Sequence, residues 1–359
     1  MSIIEQILEV ARWAPSPDNT QPWRFEITGQ DRLIIYGFDT SSHSIYDLDG
    51  HASQIGLGTL LENITLAASG HGLHASFHRR LETPPTQHVF DVYFTPAPGI
   101  TADPLIPYIP TRTVQRRALG TRSLAPAEKA ALEAAVGPAY RLIWLEGFRN
   151  KLRTAMLMFH NAKLRLTMPE AYRVHKDAIE WNARFSHDRI PDQAVGLDPI
   201  TTRLMQWVLQ SWQRVTFFNR YLAGTWLARI EMDLLPGIAC GAHFAILAHE
   251  KPLTTDDYVS AGRAVQRFWL TATQLGLQLQ PETTPLIFAR YLRNGIQFSQ
   301  LKGIHERAQL PARRLRQLIG EKEVEFAVFM GRIGAGRAAD ARSLRLTPER
   351  LLTRKSDPA

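Results

Sequence analysis

The chain has 359 residues, 45% of them hydrophobic, enough for a substantial buried core in one large domain or two ordinary ones. Lysine and arginine exceed aspartate and glutamate by 42 − 34 = 8, which suits an anionic partner. The arginines are scattered, however, with no long basic block and no RNA-binding aromatic signature, so no nucleic-acid partner is expected.

Cys240 is the only cysteine, which excludes an intrachain disulfide framework, and its flanks (Gly237, Ile238, Ala239, then Gly241, Ala242) read as a tightly packed strand around a buried structural thiol. The N-terminus carries Glu5 and Glu9 in an amphipathic pattern rather than a basic leader. The longest mostly apolar stretch, 236–248, is too short to span a bilayer. A cytoplasmic protein without a membrane partner is the expectation.

In chain order, Ile3, Ile4, Ile7, Leu8 and Ala11 recur at helical spacing and predict a helix over 2–13 that Pro15 ends. The stretch 13–23, WAPSPDNTQPW, then sets Ser16, Asp18, Asn19, Thr20 and Gln21 among three prolines, a stiff loop whose polar groups could read a planar ring edge or simply cap a turn. Alternating strands over 23–27 and 32–36 follow, then a central helix over 50–70 that is apolar on most sides, then strands near 73–78 and 87–94. A Pro-rich connector over 95–110 leads to Thr111-Arg112-Thr113-Val114-Gln115-Arg116-Arg117 and a helix over 126–136. Residues 148–235 show long helical patterns with Trp181, Trp207, Trp212 and Trp226, either a subdomain with its own core or a cover for a ligand or another subunit. A strand over 238–247, a helix over 254–275, Gly276-Leu277 leading into Gln280-Pro281, and a strand over 323–330 complete the reading. The succession of long helix, Gly-Leu and strand occurs at 67–73 and again at 272–277, a hint of internal duplication.

The run 14–23 resembles the APSxxNxQPW signature of the nitroreductase family of FMN-dependent oxidoreductases, and it follows the same amphipathic helix. Residues 112–116, ahead of Leu124-Ala125-Pro126-Ala127-Glu128, resemble that family's basic RxSx(R/K) segment, with Val114 in the place of the usual serine and Thr113 as the neighbouring hydroxyl. Residues 329–334 are similar to its late core strand, and Arg342-Ser343-Leu344-Arg345 to its basic C-terminal pair. The signature loop precedes the basic segment here, as in the long, internally duplicated branch, and residues 184–198 look most like its MoeY-type members.

The resemblance covers about 1–145 and 236–350. It implies an α+β nitroreductase-like fold in which one chain forms an intrachain pseudo-dimer around antiparallel sheets. Its N-terminal half would be 1–110, its C-terminal half 111–147 with 236–359, and 148–235 a helical insertion serving as lid or dimer contact. The implied cofactor is FMN, its phosphate held by Arg112, Arg116, Arg342 and Arg345, whose guanidinium forks match phosphate oxygens. Thr113, Ser16, Asn19, Gln21 and Pro281 would complete the cofactor site, and Arg112 and Arg116 would share a face if their segment were helical. The implied reaction is a two-electron transfer between a donor such as NAD(P)H and a small organic substrate, a quinone, a nitroaromatic or a pathway-specific compound. The chain would be a monomeric pseudo-dimer or a homodimer. Two alternatives stand beside it: a flavin-sequestering protein without turnover, and a dedicated FMN dehydrogenase in a biosynthetic pathway. Thr283 and Thr284 stand where the family has a Glu-Gly pair. No catalytic residue is identified. His71, His74 and His78 form HGLHASFH, but without further ligands at metal spacing no metal site is expected. Gly331, Gly334 and Gly336 lack the third glycine spacing and ribose acid of a dinucleotide fingerprint.

Overall fold

In this computed structural model, which describes residues 1–222 and 224–353, the N-terminal helix α1 (Ile3–Ala11) begins at a capping box. Ser2 Oγ accepts from Glu5 N, and Glu5 accepts from Ser2 N. Its Ile4, Ile7, Leu8 and Ala11 stripe is buried against α2 (His51–Ser69) and the sheet formed by β1 (Trp23–Ile27), β2 (Arg32–Phe38), β3 (Leu73–Arg79) and β4 (Gln87–Pro96). That sheet is antiparallel, in the order β1-β2-β4-β3.

After α3 (Pro126–Ala135) and β5 (Tyr140–Leu145) comes the aromatic segment: α4 (Gly147–Arg165), α5 (Pro169–Ala178), the two-residue strands β6 (Ile179–Glu180), β7 (Phe185–Ser186) and β8 (Ile190–Pro191), α6 (Pro199–Val208), α7 (Trp212–Tyr221), α8 (Trp226–Arg229), a π-helical turn (Ile230–Leu234) and α9 (Leu235–Ile238). Then follow β9 (Ala242–Ala248), α10 (Thr255–Gln274), β10 (Leu277–Pro281), α11 (Thr284–Arg293), α12 (Ile304–Ile319), β11 (Ala327–Ala335), β12 (Arg342–Ser343) and α13 (Pro348–Leu351). The second sheet is also antiparallel, ordered β10-β11-β9-β5. The protein is therefore α+β, with two four-stranded antiparallel sheets.

Helices α2 and α10 share one local design. Gly58 on α2 lies against Gly262 on α10, where a Cβ on Gly58 would come within 2.8 Å of Gly262 Cα. Fourteen residues further on (72 − 58 and 276 − 262), Gly72 at φ 68° and Gly276 at φ 71° each turn a helix end into an edge strand, β3 or β10. The helices are tied by a buried hydrogen bond from Gln266 Nε2 to Asn63 Oδ1 (2.7 Å) and by Glu62, which accepts from Arg263 (2.8 Å) and Arg267 (2.9 Å). Close backbone approach at paired glycines buries the two helices against one another without a large side chain between them.

Several sequence expectations need correction. The strand expected over 238–247 begins only at Ala242, because Leu235–Ile238 continues the helix and Cys240 sits, fully buried, in the bend between them. The strand expected over 323–330 begins at Ala327 after a single helical turn, Glu323–Glu325. Residues 112–116 are not helical: they run extended along β10, with Val114 bridged to Leu279 and Gln115 N donating to Leu279 O. Strand β5 and helices α11 and α12 lie in stretches given no element from sequence. Residues 354–359, assigned to the C-terminal half, lie outside the described residues.

Candidate functional site

A cavity of about 670 Å³ lies between the elements that flank the two sheets and the aromatic segment. Its wall takes in the Pro15–Asn19 loop, α2, the 112–116 segment, the Gln280–Thr284 turn, the C-terminal Ser343 and Arg345, and helices α4–α8. Its size is typical of a site for one organic ligand.

The extended backbone of 112–116 sends alternate side chains one way, so Arg112, Val114 and Arg116 face the cavity and Thr113 does not line it. Arg112 is 3% exposed; its Nη2 donates to Trp13 O (3.2 Å), its guanidinium lies 4.4 Å from the Trp269 ring centroid, and its Nε has no partner. Arg345, 5% exposed, spends its donors on carbonyls alone, Ala14 O (2.8 Å), Leu344 O (2.7 Å) and Ser343 O (3.4 Å). Arg342 stands behind them, outside the cavity wall, donating to Pro110 O (2.7 Å) and resting 5.1 Å from the Trp13 ring. Arg116 points to the other end, where its Nη1 donates to Ala194 O (3.0 Å).

Among the described residues none of these four arginines has a carboxylate within ion-pairing distance. Burial, followed by the charges of Arg345 and Arg342, holds Arg112 well below the usual guanidinium range. Burial, then Arg342 and Arg12, lowers Arg345 to about 9. Burial lowers Arg116 to about 10 although Asp18 opposes it. Desolvated cations clustered without a counter-charge are costly, and an anion placed among them relieves that cost.

The signature loop is strained. Asp18 (φ 48°), Asn19 (φ 64°) and Gln21 (φ 47°) are all left-handed without being glycine, a conformation of order 1 kcal/mol or more each that persists only when its surroundings enforce it. The enforcement is visible. Asn19 Nδ2 donates to His187 O (3.3 Å), Arg189 O (3.2 Å) and Leu344 O (3.1 Å); Gln21 Nε2 donates to His187 O (2.9 Å), and its Oε1 accepts from Leu346 N (2.8 Å). Ser16 Oγ accepts from Gln21 N (2.9 Å). These amides therefore clamp the loop to the aromatic segment and to the tail. Gln21 is fully buried away from the cavity, whereas Ser16 and Asn19 line it, Asn19 with its Oδ1 unpartnered. Gly56 allows the loop to lie on α2, for a Cβ there would meet Pro17 Cδ at 3.3 Å.

The opposite wall is Pro281 and the first turn of α11. A network absent from the sequence reading supports it: Glu282 accepts from His243 Nδ1 (2.7 Å) and Arg332 Nη1 (3.0 Å), His243 Nε2 donates to Gly237 O (2.7 Å), and Arg332 Nη2 donates to Arg116 O (2.6 Å). Both His243 ring nitrogens face acceptors, as in an imidazolium. Burial pushes His243 down, but Glu282, helped by the neighbouring Cys240, outweighs it and raises the ring to about 10. His243 and Arg332 pair across β9 and β11; a charged side chain inside an apolar central strand is the signal that could have revealed them.

At the far end stand Asp18, Tyr46, Arg165 and His175. Tyr46 Oη and His175 Nε2 are 2.8 Å apart. Burial raises the Asp18 carboxyl against the pull of Arg116 and Arg165, and burial, with help from Arg165, lowers His175 to about 3.

No protein-family model and no curated protein matches the chain. A solved structure described as the nitroreductase-like family protein from Bacillus cereus is similar over 72% of this chain and 98% of its own, at 12% identity and a TM-score of 0.36. No helix among the described residues is long and apolar enough to cross a membrane.

Proposed function

We propose that the chain binds FMN in this cavity and serves as an oxidoreductase, moving two electrons between a reduced donor such as NAD(P)H and a small organic substrate. One observation carries the reading: Arg112 and Arg345, buried and without carboxylate partners, converge from mid-chain and tail on one end of the cavity. A phosphate dianion is the counter-charge that two guanidinium forks accommodate best. Arg112 and Arg345 would hold it, with Arg342 adding positive potential from behind. The ring would lie between the Ser16–Asn19 loop with Gly56 on one side and Pro281 with the α11 N-terminus on the other. The unbonded amides of that N-terminus favour an electron-rich edge. The two halves would then act as the intrachain pseudo-dimer that the sequence resemblance implies. Hydride chemistry would come from the flavin; the chain positions it and excludes water.

The wall that α4–α8 place on the same cavity favours a second reading, flavin storage without turnover. Titrating the purified protein with FMN, following flavin fluorescence and melting temperature, tests binding. Arg112→Ala and Arg345→Ala should each weaken FMN about 10-fold to 100-fold, from the loss of one charge-assisted pair. Without FMN they should leave stability unchanged or raised, since each removes a buried unmatched charge. Equal FMN affinity in both variants would sink the phosphate assignment. Bleaching by NADH or NADPH followed by recovery with a quinone separates turnover from storage.

A further inference from the structure

The two ends of the cavity differ in charge, and that difference assigns a second occupant. At the phosphate end the arginines are unmatched. At the other end each arginine has a carboxyl near it: Arg165 Nη2 stands 3.6 Å from Asp233 Oδ1, and Arg116 shares the cavity wall with Asp18, beyond ion-pairing distance but within reach of its field. What remains is a set of hydrogen-bonding partners with no excess of positive charge. The Tyr46 Oη and His175 Nε2 pair lies at this end, and the Asp18 carboxyl faces the cavity with no hydrogen-bond partner among the described residues. Asp18 also occupies a left-handed conformation in the strained loop, so the backbone is held where it presents this carboxyl.

Beyond this polar end the aromatic segment contributes an apolar wall: Met205, Val208 and Leu209 from α6, Val215 from α7, Leu227 from α8, and Ile190. These are inward faces of short helices whose sequence spacing (205, 208, 209) puts them on one stripe. An apolar chamber closed by a few converging polar groups without excess charge is built for a ligand of matching polarity.

We propose that this chamber binds an organic ligand with an uncharged oxygen-bearing head, a quinone or phenol, and an extended alkyl or isoprenoid tail. The head meets Tyr46, His175 and Asp18, and the tail lies along α6–α8. The inference deepens the oxidoreductase reading and relies on it only for the identity of the molecule at the arginine end. A carboxylate head is disfavoured because the Asp18 carboxyl faces it and the Asp233 carboxyl already stands beside Arg165.

The test is equilibrium binding by calorimetry to the full-length protein, as purified and after FMN loading. The probes are a tail-less naphthoquinone, its hexyl and decyl homologues, and decanoate. Affinity should rise about threefold to fourfold per methylene over the first several methylenes, as for burial of apolar surface. Decanoate should bind at least tenfold more weakly than the decyl quinone. Val208→Asn should flatten the tail-length series while leaving the tail-less quinone unchanged. Tyr46→Phe should weaken every quinone without altering the series slope. An affinity independent of tail length, or decanoate binding as tightly as the decyl quinone, would overturn the proposal even if neither variant folds. A protein that takes up no FMN yet shows the tail series refutes the flavin reading and upholds this one.

Discussion

Replacing Glu282 by glutamine tests the buried network beneath the candidate site. Glu282 is 2% exposed and is the shared acceptor for His243 and Arg332, both also buried. Glutamine keeps the shape but removes the charge, and it turns an amide N–H₂ toward one of two donors. Breaking a buried pair by removing one partner costs about 3–5 kcal/mol. The rise of His243 from 6.5 to about 10, to which Cys240 also contributes, corresponds to about 5 kcal/mol at 1.36 kcal/mol per pH unit, an upper bound of the same order. At roughly 2–4 °C per kcal/mol the melting temperature should fall by roughly 6–20 °C.

The assay is denaturant and thermal unfolding across pH. Because the folded pKa of His243 is raised, its stabilisation is fully present below 6.5 and is lost as pH rises through about 10. Glu282 is held below its usual value by His243 and Arg332 despite burial, so its contribution is present above 4.5 and is lost as pH falls through the lowered value. Glu282→Gln should lack the acid limb and most of the alkaline one. A loss under about 1 kcal/mol, with wild type and variant declining in parallel toward alkaline pH, would refute the charge network as a stabilising element.

Two further outcomes follow from packing and titration. Gly58→Ala forces a Cβ into the Val259 carbonyl and the Gly262 backbone, so it should destabilise by about 3 kcal/mol or more in urea unfolding, whereas Ala at Gly72, with nothing within 4 Å, should cost only its left-handed strain of about 1 kcal/mol. His175 (about 3) and His51 (about 4) titrate in the folded protein below their ordinary 6.5, so the unfolded chain takes up protons first and stability should fall as pH drops from 6.5 toward 4. His51→Phe should reduce that slope by about one proton, about 1.4 kcal/mol per pH unit, and an unchanged slope would contradict the burial of His51 as a neutral ring.

The sequence by itself determined the elements that local periodicity encodes: α1, the sheet strands of the first half, the long helices α2 and α10, and the Gly-Leu junctions that end them. The family resemblance, rather than composition or periodicity, singled out Arg112, Arg116, Arg342 and Arg345; three of them line the cavity and Arg342 stands behind it. Tertiary structure alone decided which polar groups face the cavity. Asn19 and Gln21 turned out to spend their amides clamping the loop to His187, Leu344 and Leu346, residues more than 160 positions away, and no local pattern announces such partners. Thr113 and Val114 exchanged roles once their segment ran extended beside β10, since an extended chain alternates its side chains where a helix would not. The His243, Glu282 and Arg332 network, and the pairing of Tyr46 with His175, join residues from separate elements, and their charges acquire meaning only when burial strips away water.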